Sequence, residues 1–229
     1  MPRPSRTFVP DHPYHLIQRG NNRQVVFVDD EDRRRYLSVL AEVARDEGVQ
    51  LHAYVLMSNH VHLLATPRNE AGLSRLMQSL GRRYVGAFNA RHGRTGTLWE
   101  GRFKAHLVDA DAYLLSCLRY IELNPHRAGL VSDLLEYPWS SLAHHLGKRV
   151  DPCVVDHPVF WQLGNTPFER EAAYRAWLEE GVSMAEQKRF ADALKTAAPM
   201  ASPELIERLR RDKSLPPPPK PRGRPRKVG

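Results

Sequence analysis

The chain has 229 residues, 41% hydrophobic and 26% charged, enough for one sizeable core with a small addition to it. No window reaches the roughly 18 uninterrupted apolar residues of a membrane helix, and the opening MPRPSRTFVP lacks the apolar run of a secretory signal, so the expected location is the cytoplasm. Two cysteines, Cys117 and Cys153, exclude a disulfide scaffold and a four-thiolate zinc site, while a net charge of +8 and a pI near 9.7 point to a polyanionic partner.

Residues 1–10 are a Pro- and Arg-rich lead-in. Tyr14 to Gln18 (YHLIQ) alternates as a strand does, and Gly20-Asn21-Asn22 ends it. Asp29 and Asp30 supply N-caps for a helix whose apolar positions Tyr36, Leu37, Leu40, Ala41 and Ala44 recur at helical spacing, with Gly48 as its stop. Leu51 to Leu56 and His60 to Thr66 flank Met57-Ser58-Asn59 and predict a β-hairpin with a short polar turn. Leu73, Leu76, Met77, Leu80, Tyr84, Ala87 and Phe88 trace a second amphipathic helix.

Arg91 to Gly101 carries three glycines and little periodicity, which predicts a loop before a strand at Phe103 to Val108. A third helix starts near Asp109 to Asp111, runs through Tyr113, Leu114, Cys117, Leu118 and Ile121, and is expected to stop at Asn124-Pro125, because proline disfavours helical geometry in the residue before it. The order strand, helix, two strands, helix, strand, helix predicts an α+β fold. Its core is ferredoxin-like, a split βαβ unit with an antiparallel sheet and helices on one face. Residues 10–148 form the expected main domain, 149–212 a small helical C-terminal appendage (Phe168 to Glu179, Met184 to Leu194, Pro203 to Arg211), and 213–229 an extended basic tail.

The charge is unevenly placed. Lys213, Lys220, Arg222, Arg224, Arg226 and Lys227, with no acid among them, supply six of the eight net positive charges. Within the body, Arg75, Arg82, Arg83, Arg91, Arg94, Arg102 and Lys104 share a stretch whose one acid is Glu100, a basic surface or an ordinary solvated helix face. The tail's Arg222-Gly223-Arg224-Pro225 resembles an AT-hook, whose arginines enter a narrow A·T minor groove, and it is also compatible with a merely solubilising tail.

Two groupings carry possible chemistry. In His60-Val61-His62 the imidazoles project from one face of a strand and Val61 from the other, a spacing that can hold one divalent ion with a third group from a neighbouring element. In a chain with eleven histidines the pair alone is also compatible with a structural role. Tyr120 and Asn124 lie four residues apart on one helix face, a phenol with nucleophilic potential and a neutral oxygen ligand, or equally a core aromatic and a helix stop. Tyr113, seven residues earlier, is a rival nucleophile.

The segments YHLIQRGNNRQVVF (Tyr14 to Phe27), MSNHVHLL (Met57 to Leu64), GRTGTLWEGRFK (Gly93 to Lys104) and RYIELNPHRAGLV (Arg119 to Val131) together resemble the REP-associated tyrosine transposases, relatives of the IS200/IS605 transposases, over about residues 10 to 146. The resemblance implies a single-strand DNA endonuclease and transferase of the HUH class, with a ferredoxin-like fold and a homodimeric state in the insertion-sequence relatives. It maps the HUH motif onto His60, Val61 and His62, the nucleophile onto Tyr120, and a third metal ligand onto Asn124, where the insertion-sequence enzymes carry Gln. It further implies a Mg²⁺ or Mn²⁺ ion at His60 and His62, a 5′-phosphotyrosine intermediate, and single-stranded or hairpin DNA from palindromic repeats as partner, which would place the protein at the nucleoid.

Residues suited to contact that DNA are Arg19, Asn21, Asn22 and Arg23 for hairpin bases and Arg82, Arg83, Arg94, Arg102 and Lys104 for phosphates, with Arg222, Arg224 and Arg226 in the tail. A non-catalytic DNA-binding protein needs the basic surface but neither the His pair nor Tyr120. A zinc hydrolase is disfavoured because no HExxH or comparable ligand set is present.

Overall fold

Alternating apolar side chains organise a four-stranded sheet. In the computed structural model, which describes residues 7–215, β1 (Tyr14–Arg19), β2 (Val49–Met57), β3 (His60–Pro67) and β4 (Lys104–Leu107) pair antiparallel throughout, in the order β2-β3-β1-β4. Helix α1 (Asp30–Asp46) joins β1 to β2 and α2 (Gly72–Arg91) joins β3 to β4, which completes the ferredoxin-like core expected from the sequence. The turn between β2 and β3 is Ser58-Asn59, and the Asp29 side chain caps α1 by accepting from the amides of Glu31 and Asp32.

One face of the sheet presents Leu16, Leu63, Ala65 and Leu107 to Tyr36 and Leu40 of α1 and to Leu73, Leu76 and Tyr84 of α2. The other face is most apolar toward its β2 end. There Ala53, Val55 and Leu64 meet Leu114, Cys117, Leu118 and Ile121 of α3 (Ala110–Glu122). Thus α1 and α2 share a face, and α3 covers the second because the hairpin strands are apolar on both sides.

Pro125 does not end helical structure. α3 closes at Leu123, and Pro125 sits in the first turn of a short helix, α4 (Asn124–Arg127), where its missing N–H has no acceptor to lose. Downstream come α5 (Leu142–His145), α6 (Pro158–Trp161), α7 (Pro167–Glu179), α8 (Met184–Thr196) and α9 (Pro203–Arg211). α6, α7 and α8 carry Phe160, Tyr174, Leu178 and Phe190 into the α3 side, and α9 places Leu205 and Leu209 in the first core, so residues 149–212 pack into both cores.

The outer strands are partnered by irregular chain. On β2, the Leu56 amide donates to the Trp139 carbonyl (2.9 Å), the Ser141 amide to Tyr54 (3.0 Å) and the Val155 amide to Leu51 (2.8 Å). On β4, the Met200 amide donates to the Leu107 carbonyl at 2.8 Å.

The α1–α2 junction contains a buried carboxylate with a pH-dependent consequence. Asp32, its side chain 2% exposed, accepts from the Val28 amide (2.8 Å), from Arg91 (2.7 Å) and from His92 (3.0 Å). Burial works to raise its pKa, but the hydrogen bonds from His92, the Val28 amide and Arg91 outweigh it and hold the carboxyl below its usual 3.8. Such a group stabilises the fold above its unfolded pKa, near 4, and that stability is lost as the pH falls through the lower folded value. Asp32→Asn is therefore expected to cost about 1–3 kcal/mol at neutral pH, with the gap from wild type shrinking below about pH 4. Urea unfolding across that range checks it, and a gap independent of pH would contradict the role given to the carboxylate.

Candidate active site

At the β1–β4 end, the second face of the sheet carries His15 on β1, His60 and His62 on β3, and Lys104 and His106 on β4. The register sets His62 opposite Ile17 and His60 opposite Arg19. Strand alternation sends Val61 into the first core and both flanking imidazoles to the α3 side, as their spacing predicts. α3 then brings Tyr120 over them, its ring centroid 5.9 Å from that of His62 at 81°.

These groups share a cavity of about 410 Å³ lined by His60, His62, Tyr120 and Asn124. Arg19, Arg102, Lys104 and Lys195 add positive charge to its wall, and among the described residues Glu100 is its one acid. The cavity is thus cationic at its margin and contains a phenol and two imidazoles, a donor set suited to a phosphodiester.

Tyr120 is held from both faces of its ring. The Arg127 guanidinium lies 4.2 Å over it, and the Phe190 ring of α8 is stacked at 4.6 Å and 28°. Its hydroxyl has no hydrogen-bond partner among the described residues, which leaves the oxygen available to an incoming group.

Both cavity imidazoles have Nδ1 engaged elsewhere. His60 Nδ1 is 2.7 Å from Asn59 Oδ1, which can only accept, so His60 donates through Nδ1 and its Nε2 keeps a lone pair. His62 Nδ1 is 2.7 Å from His15 Nε2. Burial, followed by the charge of Arg19, lowers the His60 pKa to about 4. Burial, and then the neighbouring His60 and Arg127, hold His62 well below its ordinary value. Both rings are therefore neutral at neutral pH, the state in which imidazole binds a metal.

This donor set fits a divalent cation through two imidazoles. Among the described residues no group of three His, Cys, Asp or Glu side chains gathers to hold a metal, so a third protein ligand would have to be an amide or a hydroxyl. Asn124 lines the cavity, yet its Nδ2 donates to the carbonyls of Tyr120 (2.9 Å) and Ile121 (3.2 Å), and its Oδ1 accepts from Arg127 at 3.0 Å. One lone pair of that oxygen remains for a cation.

The other residues singled out in the sequence are dispersed. Tyr113 packs with the second core under Arg189, whose guanidinium is 5.7 Å from its ring, and does not line the cavity. Asn21, Asn22 and Arg23 form a single turn beside the β-hairpin, with Asn22 and Arg23 at positive φ, and the Arg23 carbonyl accepts from Asn59. Arg94 binds Gln24 and lies over Phe88. Arg82 and Arg83 are exposed on α2, which covers the opposite face of the sheet, and Arg83 is paired with Glu42. Arg222, Arg224 and Arg226 lie outside the described residues.

The structure adds His15, His106, Arg127, Phe190 and Lys195, which the motifs did not single out. Strand alternation places His15 and His106 on the imidazole face, a signal present in the sequence. Nothing local marks Phe190 or Lys195, which reach the site from about 70 residues beyond Tyr120.

Residues 8–124, half of the chain and all four of the cavity's motif residues, match the sequence profile of the family Transposase IS200 like. The chain belongs to the IS200-like transposase family. It is similar to the REP-associated tyrosine transposase of Escherichia coli strain K12, at 21% identity over 156 residues, which covers 68% of this chain and 87% of that one. Its fold is similar to that of a REP-associated tyrosine transposase solved bound to a REP hairpin, with a TM-score of 0.52 and 19% identity over 69% of this chain and 93% of the other. Among the described residues of this IS200-like chain, no helix is long and apolar enough to cross a membrane.

Proposed function

We propose that this IS200-like chain is a metal-dependent single-strand DNA endonuclease and strand transferase acting on repetitive extragenic palindromic hairpins through a 5′-phosphotyrosine. The observation that carries this reading is the shared cavity, in which the Tyr120 ring sits beside a neutral His60/His62 pair under a cationic margin. The hairpin substrate is suggested by the two REP-associated relatives.

His60 and His62, with Asn124, would hold a Mg²⁺ or Mn²⁺ ion, whose contribution when bound is Lewis-acid polarisation of a phosphate oxygen. Arg19, Arg102 and Lys104 neutralise the strand as it enters. Arg127 and Phe190 fix the plane of the Tyr120 ring, which limits its hydroxyl to a narrow arc over the cavity. The phenol oxygen attacks phosphorus and loses its proton, the bond from phosphorus to the 3′ oxygen breaks, and that oxygen takes up a proton. The phosphodiester is exchanged for an aryl phosphodiester, so a 3′-OH can reverse the step and join strands.

The deciding experiment incubates the full chain with 3′-labelled hairpin DNA and Mn²⁺ and seeks a denaturation-resistant adduct carrying the label. An adduct supports the reading; tight hairpin binding with no adduct would leave a DNA-binding protein without this chemistry.

Charge gives a second expected result. Lys104→Ala should weaken hairpin binding and reduce the slope of log affinity against log salt by about one unit. Removing residues 213–229 should lower the slope further, and an unchanged slope would take that segment out of the DNA contact.

A further inference from the structure

We propose that His15 is the positioning residue for His62: it accepts the His62 Nδ1–H through its own Nε2 and so presents the His62 Nε2 lone pair to the cavity. The inference rests on the reading of His60 and His62 as metal ligands, and adds a residue that neither the HxH pattern nor the tyrosine helix contains.

The geometry is specific. His15 is fully buried, and the one hydrogen bond of its side chain among the described residues runs from Nε2 to His62 Nδ1 at 2.7 Å, the rings lying 5.0 Å apart and 26° from coplanar. Three further rings lie against it edge-on: His106 at 5.0 Å, Tyr120 at 5.7 Å and Phe190 at 6.2 Å. A phenylalanine would satisfy those ring contacts. What the imidazole adds is a polar atom on His62 Nδ1, from a residue that does not itself line the cavity.

The proton count fixes which ring donates. Two neutral imidazoles share one hydrogen in an N···N contact, so either His15 or His62 carries it. If His15 donates, His62 holds its own proton on Nε2 and has no lone pair for a cation. If His62 donates, Nε2 is free and the His15 proton sits on Nδ1. A ligating histidine ordinarily donates its second N–H to an outer acceptor, which fixes both tautomer and ring orientation. The parallel case is beside it, since His60 Nδ1 donates to Asn59 Oδ1.

The ligand-ready arrangement has a cost. His15 Nδ1 is buried with no hydrogen-bond partner among the described residues, and so are both nitrogens of His106. A buried N–H without an acceptor opposes this tautomer by an amount comparable to a lost hydrogen bond. A bound cation must supply that difference, so the pair is poised between two proton positions and occupation of the cavity selects one.

Mn²⁺ alone, titrated into the full chain and followed by the electron paramagnetic resonance of the free aquo ion, reads the inference without any turnover. His15→Phe keeps the ring packing and removes the acceptor; affinity for Mn²⁺ should fall about 10–100-fold. His15→Gln offers a carbonyl oxygen and should recover most of the loss. His60→Ala reports on the ligand reading itself. Binding lost in His60→Ala and unchanged in His15→Phe overturns this inference alone, whereas no Mn²⁺ binding by the wild type overturns the metal reading and this inference with it. Should His15→Phe fail to fold, ¹⁵N-histidine spectra of the wild type with Zn²⁺ as a diamagnetic probe decide: a proton on His62 Nδ1 is expected, and a proton on His15 Nε2 overturns the assignment.

Discussion

Tyr120→Phe is expected to bind hairpin DNA as the wild type does and to form covalent adduct at least about 10⁴-fold more slowly, the scale on which removing a nucleophile acts. The substitution deletes one oxygen. The ring that Arg127 and Phe190 grip from either side remains, and so does the packing of α3 against the sheet. A loss confined to adduct formation therefore reports on the oxygen and not on the fold. Tyr113→Phe is the matched control, because Tyr113 lies outside the cavity, and its adduct yield should be that of the wild type. The measurement is the rate at which 3′-labelled hairpin becomes resistant to denaturant in Mn²⁺. Adduct persisting in Tyr120→Phe would sink the assignment of the nucleophile.

The second large effect is on stability and arises two residues further along the same helix. Glu122 points away from the cavity, its side chain fully buried. Its Oε1 accepts from His145 Nδ1 at 2.7 Å and from the Ser141 hydroxyl, and its Oε2 from the Tyr174 hydroxyl at 2.7 Å. Burial alone would lower the pKa of His145, but the charge and hydrogen bond of Glu122 prevail and raise it. One carboxylate thus ties α3, the helix of Tyr120, to α5 and α7.

Glu122→Leu removes that carboxylate and leaves a buried imidazole and two buried hydroxyls without their acceptor. The expected cost is about 3–5 kcal/mol, on the order of 10 °C in Tm for a chain of this length. Glu122→Gln, which keeps an acceptor but not the charge, should lose less. The pH dependence has a definite sign. A histidine whose folded pKa is raised contributes its stability fully below its unfolded value, near 6.5, and loses it as the pH rises through the folded value. The gap between wild type and Glu122→Leu should narrow above neutrality. Thermal unfolding from about pH 6 to pH 9 tests both points, and a shift of under about 2 °C at pH 6 would show that the network is not stabilising.

The elements of the core were legible because each has a periodic apolar pattern with a physical stop: Asp29 before α1, Gly48 after it, and a polar two-residue turn between β2 and β3. The His60/His62 face followed from strand alternation and the shared face of Tyr120 and Asn124 from helical spacing, whereas the choice of Tyr120 over Tyr113 rested on the family resemblance. What sequence periodicity does not contain is the identity of the group opposite. His15 reads as one polar residue in an apolar strand until β3 is laid beside it, 47 residues away, and Glu122 reads as a polar residue late in an amphipathic helix until residues 141, 145 and 174 converge on it. The role of Phe190 was hidden for the same reason. α8 looks like an independent amphipathic helix, and only tertiary packing brings its aromatic ring onto Tyr120.

The irregular chain lying along β2 and at the Leu107 end of β4 has a consequence for how the molecule behaves in a crowded solution. Exposed strand edges are templates for a neighbour's backbone, and here residues 139–155 and Met200 already occupy amides and carbonyls such a neighbour would use. Growth of one sheet into the next is blocked where these segments lie, so contacts between copies at those edges must be made by side chains, which can be weakened by salt or altered one residue at a time.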